Sequence, residues 1–600
     1  MFLASLWNGS VASRFQVATF ASALLVVTLA SGCAGSREEA PPAARGIVLV
    51  SVDAFRADLL STYGGDVAMA SLDRLASLGV TFENASTPCP MSRPAAVSLL
   101  TGVAPDRSGV RDDIQDRLPS GTATLASLFE AAGRGTAAIV STPLCSRSSG
   151  LASGFELFEG PEDPQGGPGR RFPPVTSDAE IAQRFAVWLG TVATESRFFA
   201  WLHLAGLHGA ATSTNEAEDS AAAYRETLKA TDEALASVIA ALETAGRLDS
   251  TAVVVAGTHG VLLGEDGAQG SAYWLRTETL RVPLVVKGTA EFPGLARGTR
   301  RDDAVWLPDV AATLAVLGGT APPLEGEGID LTRNAPAGES RTRFAWSWAP
   351  EDDVAWPTLT AVDDGGGWRS FSWDDLGAAA AAGEPEPALL AARSRPATPR
   401  KRELPQELVE RLLSQGALAD VEEVAAHPAS PTAREDLLRR IQVARYDFGR
   451  GSPAGRIRAR RILKEYPDNL AAMEAGLYVI VSSRQKIVAA ELADRVLDLY
   501  PLRPEILHRA AHARQLAGEG AEGELLLEAA LAAAEGTDAE LIYDLACARA
   551  LAGDTGGALD RLSQAIDAGY HSWAHIEQDP DLVSIRGDPR YGALLGAHGR

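Results

Sequence analysis

The sequence predicts an α/β domain with a mostly parallel central sheet, followed by an all-α solenoid. Two observations carry that prediction. From residue 46 to about residue 325, short β-rich apolar runs alternate with amphipathic helical segments, the pattern of parallel strands joined by helical crossovers. In the C-terminal third strand-like runs cease, and helical segments rich in small residues recur at 34–35 residue spacing, the signature of stacked helix pairs. The length supports the division: 600 residues exceed what one core accommodates. With 46% hydrophobic and 22% charged residues the balance is globular, and a net charge of -23 argues against a nucleic-acid binder, which needs clustered cations on phosphate.

The chain opens on a targeting segment. After Arg14, FQVATFASALLVVTLASGC is an apolar run ending in small residues at Cys33, which fits an export signal rather than a fold element. It resembles a bacterial lipoprotein signal, with Leu29 one place further back than usual. The resemblance implies that Cys33 is acylated and that residues 1–33 are the signal. Ala34 stands where an inner-membrane retention signal carries Asp, so a periplasmic or surface-facing protein anchored by lipid, with the outer membrane favoured, is the expectation. A plain secretory signal or anchor helix is the alternative. Residues 34–45 read as a polar tether. Cys89, Cys145 and Cys547 lack metal-type spacing; a Cys89–Cys145 bond or buried free thiols both fit.

Residues 46–375 form the predicted α/β domain. GIVLVSVD reads as a strand, SLDRLASLGV as a helix, and ATLASLFEAAG then TAAIVS repeat that order. RFFAWLHL, TAVVVAGTHG and VPLVVKG read as further strands, and AYRETLKATDEALASVIAALETAG as a long amphipathic helix. Asp53 and His259 lie at the carboxyl ends of two strands, where open α/β sheets bind ligands, so they are expected to face one crevice. In CPMSRPAAVSLLTG, Pro94 suits the first turn of a helix, which puts Ser92 beside exposed N–H groups able to hold an anion. A helix-capping serine is the plain structural role for the same residue.

VLVSVDAFRADLLSTYGG, LDRLASLGVTFENASTPC, SLLTGVAPDRSGV, TLASLFEAAGRGTAAIVS, FFAWLHLAGLH, VVVAGTHGVLLGEDG and TLRVPLVVKG resemble, in order, the sulfatase family of the alkaline phosphatase superfamily. The resemblance implies a hydrolase of sulfate or phosphate esters with a divalent metal. Counting back from Leu99-Leu100-Thr101-Gly102 places Ser92 at the nucleophile; the rival register, with Cys89, puts Met91 where the motif has proline. The same alignment implies Asp53 and His259 as metal ligands and His208 as a substrate-binding residue. It also exposes losses. Ala54, Thr258, Gly206 and Ala96 stand at a metal ligand, the Asp of Asp-His-Gly, an aspartate and a basic residue respectively, and Val261 replaces a frequent Glu. Without a basic residue at 96, conversion of Ser92 to formylglycine is not expected. One carboxylate with histidines is too few oxygens for tight Ca²⁺ or Mg²⁺, although Asp53 and His259 could join a third ligand, Asp266, on Zn²⁺.

Beyond residue 325 a small β-rich segment closes the domain, and residues 376–434 read as an Ala/Pro-rich linker with a solvated basic patch. Residues 435–600 hold Tyr-Pro pairs at 466 and 500 and LAG triplets at 516 and 551, a period that resembles tetratricopeptide repeats and implies a protein-binding surface. The expected function is therefore a sulfatase-like protein with an eroded site, weak or absent catalysis and a protein-interaction module. An active metal-dependent ester hydrolase using Ser92 is the alternative.

Overall fold

The computed structural model describes residues 43–372 apart from breaks at 114–115, 162–175, 212–216, 266–267, 290–294, 324, 334–340 and 350–357, then Leu437, Arg440, Ile441 and Ala444, and most of residues 453–597. Cys33, the tether up to residue 42, Asp266 and the 376–434 linker lie outside the described residues.

In chain order the α/β domain runs β1 (Gly46–Val52), α1 (Ala70–Leu78), β2 (Val80–Ser86), α2 (Ser92–Thr101), α3 (Pro105–Ser108), α4 (Leu125–Ala131), β3 (Gly135–Val140) and β4 (Leu157–Glu159). It continues with α5 (Asp178–Thr191), β5 (Phe198–Leu204), α6 (Gly206–Ala211), α7 (Ala217–Thr244), β6 (Thr251–Gly257), β7 (Leu262–Leu263) and β8 (Gln269–Gly270). Last come α8 (Thr277–Leu280), β9 (Leu284–Lys287), β10 (Thr299–Trp306), α9 (Pro308–Leu317), β11 (Arg343–Ser347), β12 (Leu359–Asp363) and β13 (Arg369–Ser372). Eight strands form the main sheet in the order β10-β2-β9-β6-β1-β5-β3-β4. Only β9 runs antiparallel to its neighbours, as in the mostly parallel sheet expected. The β-rich closing segment is a separate antiparallel sheet, β11-β12-β13.

Strand alternation decides which face each residue serves. Ile47 and Leu49 of β1, with Phe199 and Trp201 of β5, pack against α2, α4 and α9. Val48, Val50 and Val52, with Ala200 and Leu202, pack on the other face against α1, α5 and α7. With both faces covered, the strands are apolar throughout. A polar side chain on one of them therefore stands out.

The C-terminal part is helical: α10 (Pro453–Glu465), α11 (Lys486–Leu499), α12 (Pro504–Ala517), α13 (Gly520–Ala533), α14 (Ala539–Leu551), α15 (Thr555–Asp567), α16 (Trp573–Gln578) and α17 (Pro589–Ala597). From α11 to α15 each helix packs on the next, sharing one apolar core rich in Leu and Ala, the architecture of an α solenoid. Leu437, Ile441, Ala444, Ile462 and Ala472 share a second apolar cluster with Leu262, Tyr273 and Trp274 of the α/β domain. Among the described residues no helix is long and apolar enough to cross a membrane.

Candidate active site

β1 ends at Val52 and delivers Asp53 to the carboxyl edge of the sheet between β5 and β6, its neighbours in register. Asp53 is fully buried. Four side chains converge on it. Ser92 Oγ donates to Oδ2 at 2.6 Å, and Thr258 Oγ1 donates to Oδ1. His203 Nε2 lies 3.3 Å from Oδ2 and His259 Nε2 3.9 Å from Oδ1. All four are completely buried. Asp53, His208 and His259 can bring one ligand atom each within 4.8 Å of one another, and the rings of His208 and His259 stand at right angles, 5.8 Å apart.

Ser92 is the first residue inside α2, whose cap residue is Met91, so its hydroxyl does not cap the helix but serves Asp53. The Cys89 thiol is buried, pushed above its usual pKa by desolvation, and its backbone N–H is tied to Thr87. All three described cysteines are free and buried.

The four sequence-derived residues Asp53, Ser92, His208 and His259 thus come together. Sequence reasoning missed His203. It follows Phe199 and Trp201 on one face of β5, opposite Ser51 in register, and its Nδ1 meets Ser51 Oγ at 2.8 Å, with Trp201 Nε1 donating to the same hydroxyl. The signal lay in the alternation: a histidine and a serine on an apolar face, level with each other and next to Asp53. Burial opposes charge on His203, but attraction to Asp53 outweighs it and raises its pKa well above the ordinary imidazole value. Burial likewise pushes the Asp53 carboxyl up, and His203 with the other imidazoles overrides this to hold it well below the carboxylate range. The two form an imidazolium–carboxylate pair.

His259 differs. Its Nδ1 stands 2.7 Å from the carbonyl of Gly260, which can only accept, so the proton sits on Nδ1. Burial lowers its pKa to about 4, against the pull of Asp53. The neutral ring therefore aims the Nε2 lone pair, buried and without a hydrogen-bond partner, toward a carboxylate oxygen. Two Lewis bases facing each other in a buried site fit a cation between them. The donors, two imidazoles and one carboxylate, fit Zn²⁺; they do not meet the six or more oxygens of Ca²⁺.

The positions at which the resemblance implies losses have defined surroundings. Ala54 is the one described non-glycine residue with positive φ, at 54°. The left-handed region costs alanine about 1 kcal/mol and is entered more readily by Asp or Asn. Tyr224 Oη, donating to the Ala54 carbonyl at 2.6 Å, and the Phe55 N–H, donating to the His259 carbonyl at 2.7 Å, hold the turn. A Cβ on Gly206 would stand 3.0 Å from Asp178 Oδ2, so an aspartate at 206 would displace Asp178. Ala96 is buried within the α2 side of the core. Glu265 pairs with Arg56 and is not turned to Asp53.

A second missed group is Asp113. Its Oδ1 accepts the Arg93 N–H at the start of α2, 2.7 Å away. Burial, with repulsion from Asp53, raises its pKa to about 6 against the pull of Arg93 and His208. An open cleft among Ser146, Arg147, Phe158, Glu159 and Arg184 lies along β4, but none of the residues around Asp53 lines it.

Comparison with known proteins gives the following. Residues 45–320 match the family model described as Sulfatase. A Δ4,5-hexuronate-2-O-sulfatase of Bacteroides thetaiotaomicron is 31% identical over 107 residues, covering 17% of this chain and 21% of that protein. The aligned stretch thus spans about a fifth of the relative's length. Among solved structures, one in complex with its substrate D-glucosamine-2-N,6-O-disulfate covers 60% of this chain and all of its own, at 16% identity and a TM-score of 0.47. The phosphonate monoester hydrolase of Agrobacterium radiobacter covers 62% of this chain and 95% of its own, at 18% identity and a TM-score of 0.44.

Proposed function

Residues 45–320 form a sulfatase-family domain, and from that premise we propose that this is a hydrolase fold whose site has closed over its own carboxylate, leaving weak or no ester hydrolysis. The observation that carries the reading is the state of Asp53. Both its oxygens accept hydroxyl protons, from Ser92 and Thr258, and its charge is balanced by His203. A family carboxylate at 258 would repel Asp53 and call for a metal; the hydroxyl instead removes that need. Asp53 is also a poor base for Ser92, because a carboxyl held below its usual pKa takes a proton reluctantly.

A second reading is favoured by one observation, the orphaned Nε2 of His259 facing Asp53. In that reading Asp53, His208 and His259 hold a divalent ion, most suitably Zn²⁺. When bound, such an ion polarises a sulfate or phosphate ester and lowers the pKa of a nearby hydroxyl. Ser92, at the N-terminus of α2, would be the attacking group. Sulfate and phosphate are both tetrahedral oxyanions, and the site chemistry does not separate them.

One assay distinguishes the readings. Purified protein is offered aryl sulfates and aryl phosphates with Ca²⁺, Mg²⁺, Mn²⁺ or Zn²⁺. The closed-site reading expects no turnover above background and no change in Ser92→Ala. Metal-dependent turnover abolished by Ser92→Ala would overturn it and assign the chemistry to Ser92.

The remaining parts complete the proposal. Cys33 carries lipid and holds the protein at a bacterial membrane, facing the periplasm or the surface and with the outer membrane favoured. The helices beyond residue 435 are a tetratricopeptide-type array that binds a protein partner. In support, α12 and α14 begin 35 residues apart, at Pro504 and Ala539, as equivalent helices of successive pairs should. Residues 435–600 produced alone should melt cooperatively as a helical unit; a random-coil spectrum would remove the array.

A further inference from the structure

The helical part carries a second cluster of metal-ligating side chains, remote in sequence from Asp53. α12 and α14 are the first helices of consecutive pairs, and they meet through three polar residues. His508 and His512 stand four residues apart on α12, which places them on one face of the helix. Both turn Nε2 toward the same oxygen of Asp544 on α14: His508 lies 2.5 Å and His512 3.0 Å from Oδ2. The two rings are 4.7 Å apart and inclined at 60°. All three side chains are partly open to solvent, at 20%, 23% and 12% exposure.

A simple ion pair between the helices would need one histidine. Two imidazoles converging on a single carboxylate oxygen is a different arrangement, in which the three ligand atoms can lie within 4.8 Å of one another. Ligands of one tetrahedral ion at metal–ligand distances near 2 Å stand about 3.3 Å apart, close to the 3.0 Å between His512 Nε2 and Asp544 Oδ2. The i, i+4 histidine pair fixes two ligands on a rigid helix, and Asp544 supplies the third from the neighbouring pair. Partial exposure provides a path for the ion and room for a water in the fourth position. The surroundings favour a cation: Glu540 and Asp581 add negative charge near the cluster, and Arg509 is the neighbouring positive group.

We propose that His508, His512 and Asp544 form a site for a divalent transition metal, Zn²⁺ by its ligand chemistry, which clips two successive helix pairs together. Two imidazoles and one carboxylate suit Zn²⁺ over Ca²⁺ or Mg²⁺, which prefer oxygen donors. Binding displaces the protons on both Nε2 atoms to solvent, so the apo cluster is a hydrogen-bonded form of the same site. Because the metal joins residues from two helix pairs, it stabilises their packing without touching the Asp53 site.

The test is Zn²⁺ binding to the full chain by calorimetry and equilibrium dialysis, with Co²⁺ as a spectroscopic probe. Asp53→Asn disables the other candidate site, so the ion it still binds reports on the array. Asp53→Asn protein should bind one Zn²⁺ and give the visible band of low-coordinate Co²⁺. Adding His508→Gln and His512→Gln should remove both, and His512→Gln alone should weaken binding at least tenfold. Asp544→Asn, which keeps side-chain size, should weaken it similarly while the far-ultraviolet helical signal stays unchanged. If the Asp53→Asn protein binds no Zn²⁺, or binds it equally well with both histidines replaced, the cluster is an ion pair only and the inference fails.

Discussion

Thr258→Asp examines the closed-site reading at its centre. Thr258 Oγ1 now donates to Asp53 Oδ1 inside a fully buried cluster. The substitution replaces a donor with a second carboxylate facing Asp53. Two like charges about 4 Å apart repel by about 4 kcal/mol at an effective dielectric of about 20. Loss of a hydrogen bond to a charged acceptor adds roughly 1.5–3 kcal/mol. Protonation of one carboxyl and the nearby His203 charge offset part of this, so a net destabilisation of about 4 kcal/mol is expected in chelator. At roughly 2–4 °C per kcal/mol this lowers the melting temperature by about 10 °C. A divalent ion that binds between Asp53 and the introduced carboxylate should return more than half of the loss, because an ion at about a hundred times its Kd contributes about 2.7 kcal/mol. The assay is thermal unfolding of wild type and variant, each in chelator and in Zn²⁺, Mn²⁺ or Ca²⁺. Equal stability of the two proteins in chelator would refute the closed, charge-balanced picture of Asp53. So would an identical metal-induced shift in both.

Two further outcomes follow from other parts of the chain. The folded-state pKa of Asp113 is raised to about 6, so between about pH 4 and pH 6 the folded chain keeps a proton that the unfolded chain has released. Stability contributed by this group is therefore full below about pH 4 and falls as pH rises to about 6, by up to about 3 kcal/mol. Asp113→Asn should remove that slope from denaturant midpoints measured across the range; an unchanged slope would place the titration elsewhere. At the N-terminus, metabolic labelling with a fatty-acid analogue should mark the wild type in bacteria and miss Cys33→Ala, and labelling that survives the substitution would exclude acylation at Cys33.

Much of the domain was legible because strand and helix periods differ. The runs at 46–52, 198–204 and 251–257 are continuous apolar strands, as a sheet covered on both faces requires. Position at strand ends linked Asp53 to His259 across about two hundred residues. The resemblance to the family motif before Leu99-Leu100-Thr101-Gly102 singled out Ser92, which the fold sets against Asp53. His203 was less visible, because a histidine inside FFAWLHL looks like one polar residue in a core strand. Its meaning depends on which strand lies beside it, and parallel pairing of β5 with β1 is a long-range choice. Asp113 was hidden for a similar reason: it lies in a polar loop whose path back to the start of α2 has no local signal.

By itself the sequence determined the succession of elements, the two-part architecture and the candidate residues, because side-chain chemistry and hydrophobic period are local properties. It also contained the spacing of His508 and His512, since four residues make one helical face wherever the helix goes. Only the tertiary structure decided what the surviving groups do to one another. It set the Thr258 hydroxyl as a donor to Asp53, made His203 the counter-charge, and left His259 neutral with an unused lone pair. It also brought Asp544 to the histidine pair from the next helix pair. These outcomes depend on burial and on distances of about 3–4 Å between groups far apart in sequence, where Coulomb energies change by several kcal/mol.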